Sequence, residues 1–434
     1  MICLTTTQTT PEETARAVEG SRAWIEMVEL RIDFWDLSDP AVLDRGARVG
    51  SGLQRILTLR RSSDGGRCSR DERERVELLT VALERFRPDY VDLEDDLCAR
   101  PEGKELMALA ASYGTRVVRS IHDFNGTPDD LTERVLRLQE APGDVAKYAV
   151  TTRSTADLLT LQTASDSAAR ARPEKHRVLL GMGSYGVPSR LLPSRFHSLW
   201  SYCSAPEEGT TPGAPGHLTP RELVERFAFR EAERGDPLFA VLGDPVLHSG
   251  SPSYHNRRFR GEGAPGAYIA VPADEPKSAM AFLDRLGFRG VSVTIPHKEG
   301  VLPFLDSVEE SVKAIGASNT LLRTPDGGWE GRNSDVVGFL TPLLEKMPPL
   351  RGRSALVLGA GGAARAVVYA LLGEGARLVV ANRTRMRGAA LLEEMGGASE
   401  SARAVALTDP ALLTAPFDLI VQTTSVGMDG VSEP

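Results

Sequence analysis

The sequence predicts an α/β protein: a (β/α)8 TIM barrel followed by a two-lobed α/β region whose second lobe is Rossmann-type. Three observations predict it. Apolar runs of strand length recur eight times before residue 204, stretches of helical spacing lie between most of them, and a glycine-rich turn at Gly359 follows a strongly apolar run. At 434 residues the chain is also longer than one barrel by about a domain or two.

In order, the barrel strands are predicted at residues 2–6, 27–33, 55–60, 90–95, 116–124, 145–151, 177–182 and 198–203, with helices such as 70–86 and 130–140 between them. Residues 219–235 have charged helical character, and Gly235-Asp-Pro237 reads as a turn before a fresh strand at 238–243. The predicted organisation is therefore a barrel over 1–218, a linker over 219–236, a first lobe over 237–341 and a nucleotide-binding lobe over 342–434. In the last, the buried run Ser354-Ala-Leu-Val-Leu leads into Gly359, Ala360, Gly361, Gly362 and Ala363 and then a helical stretch, the arrangement that seats a pyrophosphate on backbone N–H groups. The next strand ends in Asn382-Arg383-Thr384, about twenty residues on, where an NAD binder carries an acid for the ribose hydroxyl. Arginine there favours NADP. Arg383 and Arg387 can pair a 2′-phosphate, and Thr384 can bond the same group or cap the following helix; Arg387 can equally be a solvated helix charge.

A formal net charge of −8 argues against nucleic acid or an anionic membrane as partners. Cys3, Cys68, Cys98 and Cys203 lack metal-ligand or redox spacing and read as reduced thiols, so no metal is expected. No run of about 18 apolar residues and no secretory leader pattern occur, and a soluble cytoplasmic protein acting on small molecules is expected.

Lys147 lies in the middle of a predicted buried strand. An amine forced into an apolar barrel has its charged form disfavoured and is left free to attack a ketone as a Schiff-base nucleophile. Glu94 and His122 sit on neighbouring strands, and Glu29, Arg31 and Asp33 alternate at period two along the second strand, so they are expected on one face, awaiting a ligand. Each has an ordinary reading when taken alone: Lys147 as a snorkelling surface lysine, His122 as a structural histidine, Arg60 as a solvated loop charge.

Together Glu29-Leu-Arg31, Thr58-Leu-Arg60 with Asp64-Gly-Gly66, Val91-Asp-Leu-Glu94, His122-Asp-Phe124, Lys147 and Met182-Gly-Ser-Tyr-Gly186-Val-Pro-Ser-Arg190 resemble the type I 3-dehydroquinate dehydratases over residues 1 to 218. The resemblance implies an iminium between Lys147 and the substrate's C3 ketone, removal of the C2 proton by His122 and its return to the departing C1 hydroxyl, with Glu94 orienting the imidazole. It further implies that Arg190 holds the carboxylate, that Glu29, Arg31 and Arg60 hold ring hydroxyls, and that Tyr202 supplies the aromatic wall. The family's substrate-covering loop reads Ser-Ala-Pro-Gly-Gln, whereas this chain has Gly213-Ala-Pro-Gly216-His217, leaving His217 as the polar contact. A class I aldolase-like barrel is the alternative.

Residues 238–341 hold Ser249-Gly-Ser251, Thr294-Ile-Pro-His-Lys298, Gly316-Ala-Ser-Asn319 and Asn333-Ser-Asp335, which resemble shikimate dehydrogenase. That resemblance places Ser249 and Ser251 on the substrate carboxylate, Thr294, Asn319 and Asp335 on ring hydroxyls, and Lys298 beside Asp335 as a proton-transfer dyad, with NADP as cofactor. A lysine held by a carboxylate suits the proton step of ketone reduction. The sequence stops at Ser425-Val-Gly-Met428-Asp-Gly-Val-Ser-Glu-Pro434, just after a strand, so the nucleotide-binding lobe is expected to be incomplete. A C-terminal half that only binds ligand is the second alternative.

Overall fold

The computed structural model describes residues 1–39, 41–205, 216–347, 349–397, 401–424 and 426. The chain forms two compact units, one comprising residues 1–241, 246–274 and 281–287, the other 242–245, 275–280 and 288–434.

Strands β1 (Ile2–Thr5), β2 (Met27–Arg31), β3 (Gln54–Thr58), β4 (Tyr90–Glu94), β5 (Arg116–Asp123), β6 (Val145–Thr151), β7 (His176–Met182) and β8 (Ser201–Ser204) lie in the order β7-β6-β5-β4-β3-β2-β1-β8, every neighbouring pair parallel. The result is a nearly closed barrel. The eighth strand begins later than the predicted residue 198 because Ser198 and Leu199 act as single clips on β7: Leu199 N–H donates to the Arg177 carbonyl (2.8 Å) and Ser198 Oγ accepts from Leu179 N–H (2.9 Å). Likewise β2 stops at Arg31, and Asp33 sits in a 3-10 turn (Ile32–Phe34) instead of on the strand face.

Period-two alternation builds the barrel interior in layers. Cys3, Met27, Ile56, Tyr90, Val118, Val145 and Val178, one from each of the first seven strands, form an apolar floor with Trp200, which immediately precedes β8. Two residues further along the same strands stand Thr5, Glu29, Thr58, Asp92, Ser120, Lys147, Leu180 and Tyr202. The barrel interior is thus apolar below and, Leu180 apart, polar above, and the polar layer lies toward the strand C-terminal ends where barrel enzymes work. Outside it, helix Glu72–Phe86 starts where the Asp71 side chain accepts from Glu74 N–H (2.9 Å), and it buries Leu79, Ala82, Leu83 and Phe86.

Residues 219–236 are not a free linker. Leu223, Phe227, Phe229 and Ala232 are buried, and Arg230 Nη2 donates to the Trp24 carbonyl (2.9 Å), so the segment is packed on the barrel. The same compact unit includes residues 238–241 of β9 (Leu238–Gly243), helix Ser251–Glu262 and the fully buried β10 (Ala267–Pro272). Asp274 Oδ1 accepts from both N–H and Oγ1 of Thr155 (2.9 Å each), and Arg285 Nη2 bonds Asp166 Oδ2 (2.7 Å). These bonds tie residues beyond the expected boundary at 236 to the barrel.

In the second unit, β11 (Gly290–Val293) is antiparallel to β13 (Thr320–Arg323), β13 is antiparallel to β14 (Trp329–Arg332), and the two-residue β12 (Ser307–Val308) is parallel to β14. A four-stranded parallel sheet follows, with β15 (Ser354–Leu358), β16 (Arg377–Asn382), β17 (Ala402–Ala406) and β18 (Leu419–Gln422) in the order β17-β16-β15-β18. Its core gathers Val357, Val368, Leu371, Leu378, Val380 and Leu391. Among the described residues β17 and β18 are the edge strands of this sheet, with Ile420 of β18 60% exposed. Gly213 and the residues before it from 206, and all of Ser425-to-Pro434 except Val426, lie outside the described residues.

Candidate active sites

The mouth of the barrel holds a cavity of about 200 Å³ lined by Glu29, Arg31, Arg60, His122, Lys147, Arg190, Tyr202 and His217, together with Thr5, Asp64, Phe124 and Met182. Of the barrel residues singled out from sequence, Asp33 and Glu94 are absent from this lining.

The expected apolar setting for Lys147 is not what forms. Its Nζ donates to Asp92 Oδ2 at 2.9 Å, lies 3.7 Å from Glu29 Oε1 and stands 4.5 Å from the Tyr202 ring centroid. Asp92 is the central anion, accepting from Arg60 Nη2 (2.7 Å) and Ser120 Oγ (2.6 Å) as well. Burial pushes its carboxyl up, but Arg60 and then Lys147 outweigh that and hold it well below the usual carboxylate range. Asp92 received no role from the sequence. The signal was present: Tyr90, Asp92 and Glu94 alternate at period two, so whatever face holds Glu94 holds Asp92.

The other charges pair among themselves and do not simply await a ligand. Arg31 grips Asp33 through Nε and Nη2, both at 2.8 Å, while Glu29 accepts from Thr5 Oγ1 (2.9 Å) and Thr58 Oγ1 (3.1 Å). Glu94 does not bond His122; it pairs with Arg60 Nη1 (3.1 Å) and Arg75 Nη2 (2.9 Å), two cations that outcompete a neutral ring. Burial, then the positive charges of Arg60 and Lys147, hold the His122 imidazole well below its ordinary value against the pull of Asp92. At neutral pH it is a base. His217 is pushed down in the same sense by burial and then by Arg190. Arg190, 1% exposed, is lowered by burial to about 10 and stays a cation at neutral pH.

The second group of residues is divided between the units, and each part is internally ordered. Ser249 Oγ and Ser251 Oγ are 3.2 Å apart at the start of helix Ser251–Glu262. In the other unit, Lys298 Nζ donates to Asp335 Oδ2 at 2.6 Å, and Asn319 Nδ2 donates to Asp335 Oδ1 at 2.7 Å. Asp335 is the first residue of helix Asp335–Lys346, following Ser334 at the cap position. Thr294 N–H donates to the Leu242 carbonyl (2.8 Å), which fixes the turn leading to Lys298.

The residues around Gly359 fit a dinucleotide. Gly359 has φ +113°, and a Cβ there would lie 2.6 Å from Thr423 Oγ1, so only glycine serves. Beyond it, helix Gly362–Gly373 starts, and above Gly361 lies open space. Ala360 and Ala363 complete the turn. Asn382 Nδ2 donates to the Thr384 carbonyl (2.9 Å); Arg383 and Arg387 are exposed and have no carboxylate partner among the described residues. Thr384 occupies the cap position of helix Arg385–Glu394, yet its hydroxyl makes no cap bond. Among the described residues no cluster of three His, Cys, Asp or Glu side chains is placed to hold a metal ion.

The family description type I 3-dehydroquinase matches residues 2–234, more than half of the chain, and a bifunctional 3-dehydroquinate dehydratase/shikimate dehydrogenase of Arabidopsis thaliana, chloroplastic by name, is 31% identical over 93% of this chain and 67% of its own length. The chain belongs to the dehydroquinate dehydratase–shikimate dehydrogenase family. The shikimate dehydrogenase substrate-binding description matches residues 241–321, and the shikimate/quinate 5-dehydrogenase description matches 343–428. A shikimate dehydrogenase (NADP+) of Syntrophobacter fumaroxidans is 44% identical over 44% of this chain and 66% of its own length. The chain thus spans about two thirds of the length of these relatives. A solved dehydroquinate dehydratase and shikimate dehydrogenase of S. pombe is 25% identical, covering 100% of this chain and 83% of its own, with a TM-score of 0.44.

Proposed function

We propose that the barrel dehydrates 3-dehydroquinate to 3-dehydroshikimate through Lys147, and that the C-terminal half reduces that product to shikimate with NADPH. The observation that carries the barrel reading is the Lys147 amine, flanked by Asp92 and Glu29, in one cavity with the basic imidazole of His122 and the buried cation Arg190. Attack of Nζ on the C3 ketone, with loss of water, gives an iminium. The iminium draws electrons from C2, whose proton His122 takes; the enamine then expels the C1 hydroxyl as His122 returns the proton, and water releases the enone from Lys147. Proton transfer of this kind contributes on the order of 10² to 10⁴ in rate. Arg190 suits the substrate carboxylate, while Arg31, Arg60, Glu29 and His217 offer hydrogen bonds to ring hydroxyls, with Tyr202 as the aromatic wall. An aldolase-like reaction would not call for Arg190.

For the reductase, NADPH supplies a hydride when bound. Lys298, held by Asp335, delivers the proton to the carbonyl oxygen; Thr294, Asn319 and Asp335 hold ring hydroxyls, and Ser249 and Ser251 hold the carboxylate. Gly359 to Ala363 seat the pyrophosphate, and Asn382, Arg383, Thr384 and Arg387 select the 2′-phosphate. No helix of the described residues is long and apolar enough to cross a membrane, and a cytoplasmic place is proposed with small molecules as the partners.

Purified chain given 3-dehydroquinate and NADPH, with enone and NADPH absorbance followed together, tests both halves. Enone that rises before NADPH falls supports the whole reading. Enone with constant NADPH refutes the reductase, and absence of enone refutes the dehydratase.

A further inference from the structure

Glu94 meets two arginines, and only one of them lines the cavity. Arg60 does; Arg75 lies outside it, on helix Glu72–Phe86, and is 1% exposed. Arg75 Nη1 donates to the Leu59 carbonyl (2.9 Å), and its Nη2 meets Glu72 Oε1 (2.7 Å) and Glu94 Oε2 (2.9 Å). Leu59 immediately precedes Arg60. From Glu94 Oε1 the contacts continue to Arg60 Nη1 (3.1 Å), from Arg60 Nη2 to Asp92 Oδ1 (2.7 Å), and from Asp92 Oδ2 to Lys147 Nζ (2.9 Å). Charges of alternating sign therefore run in file from the outer helix to the amine.

Burying a guanidinium is costly, and an apolar side chain would cover the barrel at lower cost. We infer that Arg75 is a positioning residue for the barrel's reaction: it holds Arg60 from two directions, through the Leu59 carbonyl and through Glu94, and so sets where Arg60, Asp92 and Lys147 stand without touching substrate. The inference rests on the dehydratase reading. It also has a signature in pH. The groups facing His122 are Arg60 at the end of β3, Lys147 on β6, Asp92 on β4 and Arg31 on β2, and Arg60 is the cation that most opposes its protonation. An Arg60 released from its anchor opposes protonation less, so the acid limb of kcat/KM moves to higher pH.

The test uses the full chain with Arg75→Met, Arg75→Lys and, as a control on the same helix, Arg73→Met, whose side chain is 89% exposed. Dehydroquinate turnover is measured from pH 5 to 9 beside circular dichroism and melting. Arg75→Met is expected to lose roughly 10- to 100-fold in kcat/KM, in line with the cost of a small misplacement, with its acid limb displaced upward. Arg75→Lys, which keeps a cation, recovers part of both, and Arg73→Met matches the unsubstituted chain. A lower melting temperature with unchanged kcat, KM and pH profile overturns the proposal. If Arg75→Met does not fold, Arg75→Lys decides by the same profile: a displaced limb supports the proposal and an unchanged one overturns it. Failure of the unsubstituted chain to turn over dehydroquinate would sink the dehydratase reading itself, and is recognised before any variant is compared.

Discussion

Asp92→Asn keeps the size of the side chain and removes the anion that Arg60, Lys147 and Ser120 share. Breaking a buried pair costs about 3–5 kcal/mol because the partner charge is left uncompensated. Here Arg60 keeps Glu94 at 3.1 Å and Lys147 keeps Glu29 at 3.7 Å, which puts the loss at the low end, about 3 kcal/mol. For a domain of this size that corresponds to a fall of roughly 6–12 °C in the barrel's melting transition. The pH dependence has a definite sign. The folded-state carboxyl of Asp92 is held below its unfolded value, so its stabilisation is complete above an unfolded pKa of about 3.9 and is lost as pH falls through the folded value. Scanning calorimetry of both proteins should therefore show a constant gap from pH 5 to 8 that closes only in stronger acid. A gap below about 1 kcal/mol at pH 7, or one that closes between pH 7 and 5, would refute the assignment of Asp92 as the shared anion.

Lys298→Met should lower NADPH-dependent reduction on the order of 10²- to 10⁴-fold while enone formation from dehydroquinate stays unchanged, both read in one coupled assay. Arg383→Ala with Arg387→Ala should weaken NADPH binding about 10-fold or more per lost charge-assisted bond and leave NADH binding nearly unaffected, by fluorescence titration. Because burial, Arg60 and Lys147 depress the His122 imidazole, its base form persists in acid, and the acid limb of dehydratase kcat/KM should lie below the ordinary histidine value of about 6.5. A limb at or above that value would remove His122 as the base.

The barrel was legible because eight strand-length apolar runs recur with helical stretches between most of them, and period two along the second strand sets Glu29 and Arg31 on one face, which is the cavity face. The glycine turn before helix Gly362–Gly373 was legible for a similar reason, since Gly359 has a backbone conformation that other residues rarely adopt. What sequence did not give is the choice of partner. Glu94 could bond either His122 or an arginine, and Arg75, on the helix between β3 and β4, reads locally as one of several helix charges beside Glu72 and Glu74. Only the packing of that helix against the end of β3 brings its guanidinium to Glu94. The same limit applies at residues 219–236, where charged surface positions concealed a buried face of Leu223, Phe227 and Phe229.

The central claim is that Lys147 forms a covalent bond with substrate. Reducing the chain with borohydride in the presence of 3-dehydroquinate, followed by peptide mass analysis, tests it most directly. The account predicts a substrate-derived adduct on Lys147 alone, absent when Lys147→Met is treated in the same way. Substrate consumed at the normal rate with no adduct, or an adduct confined to another lysine, would contradict it.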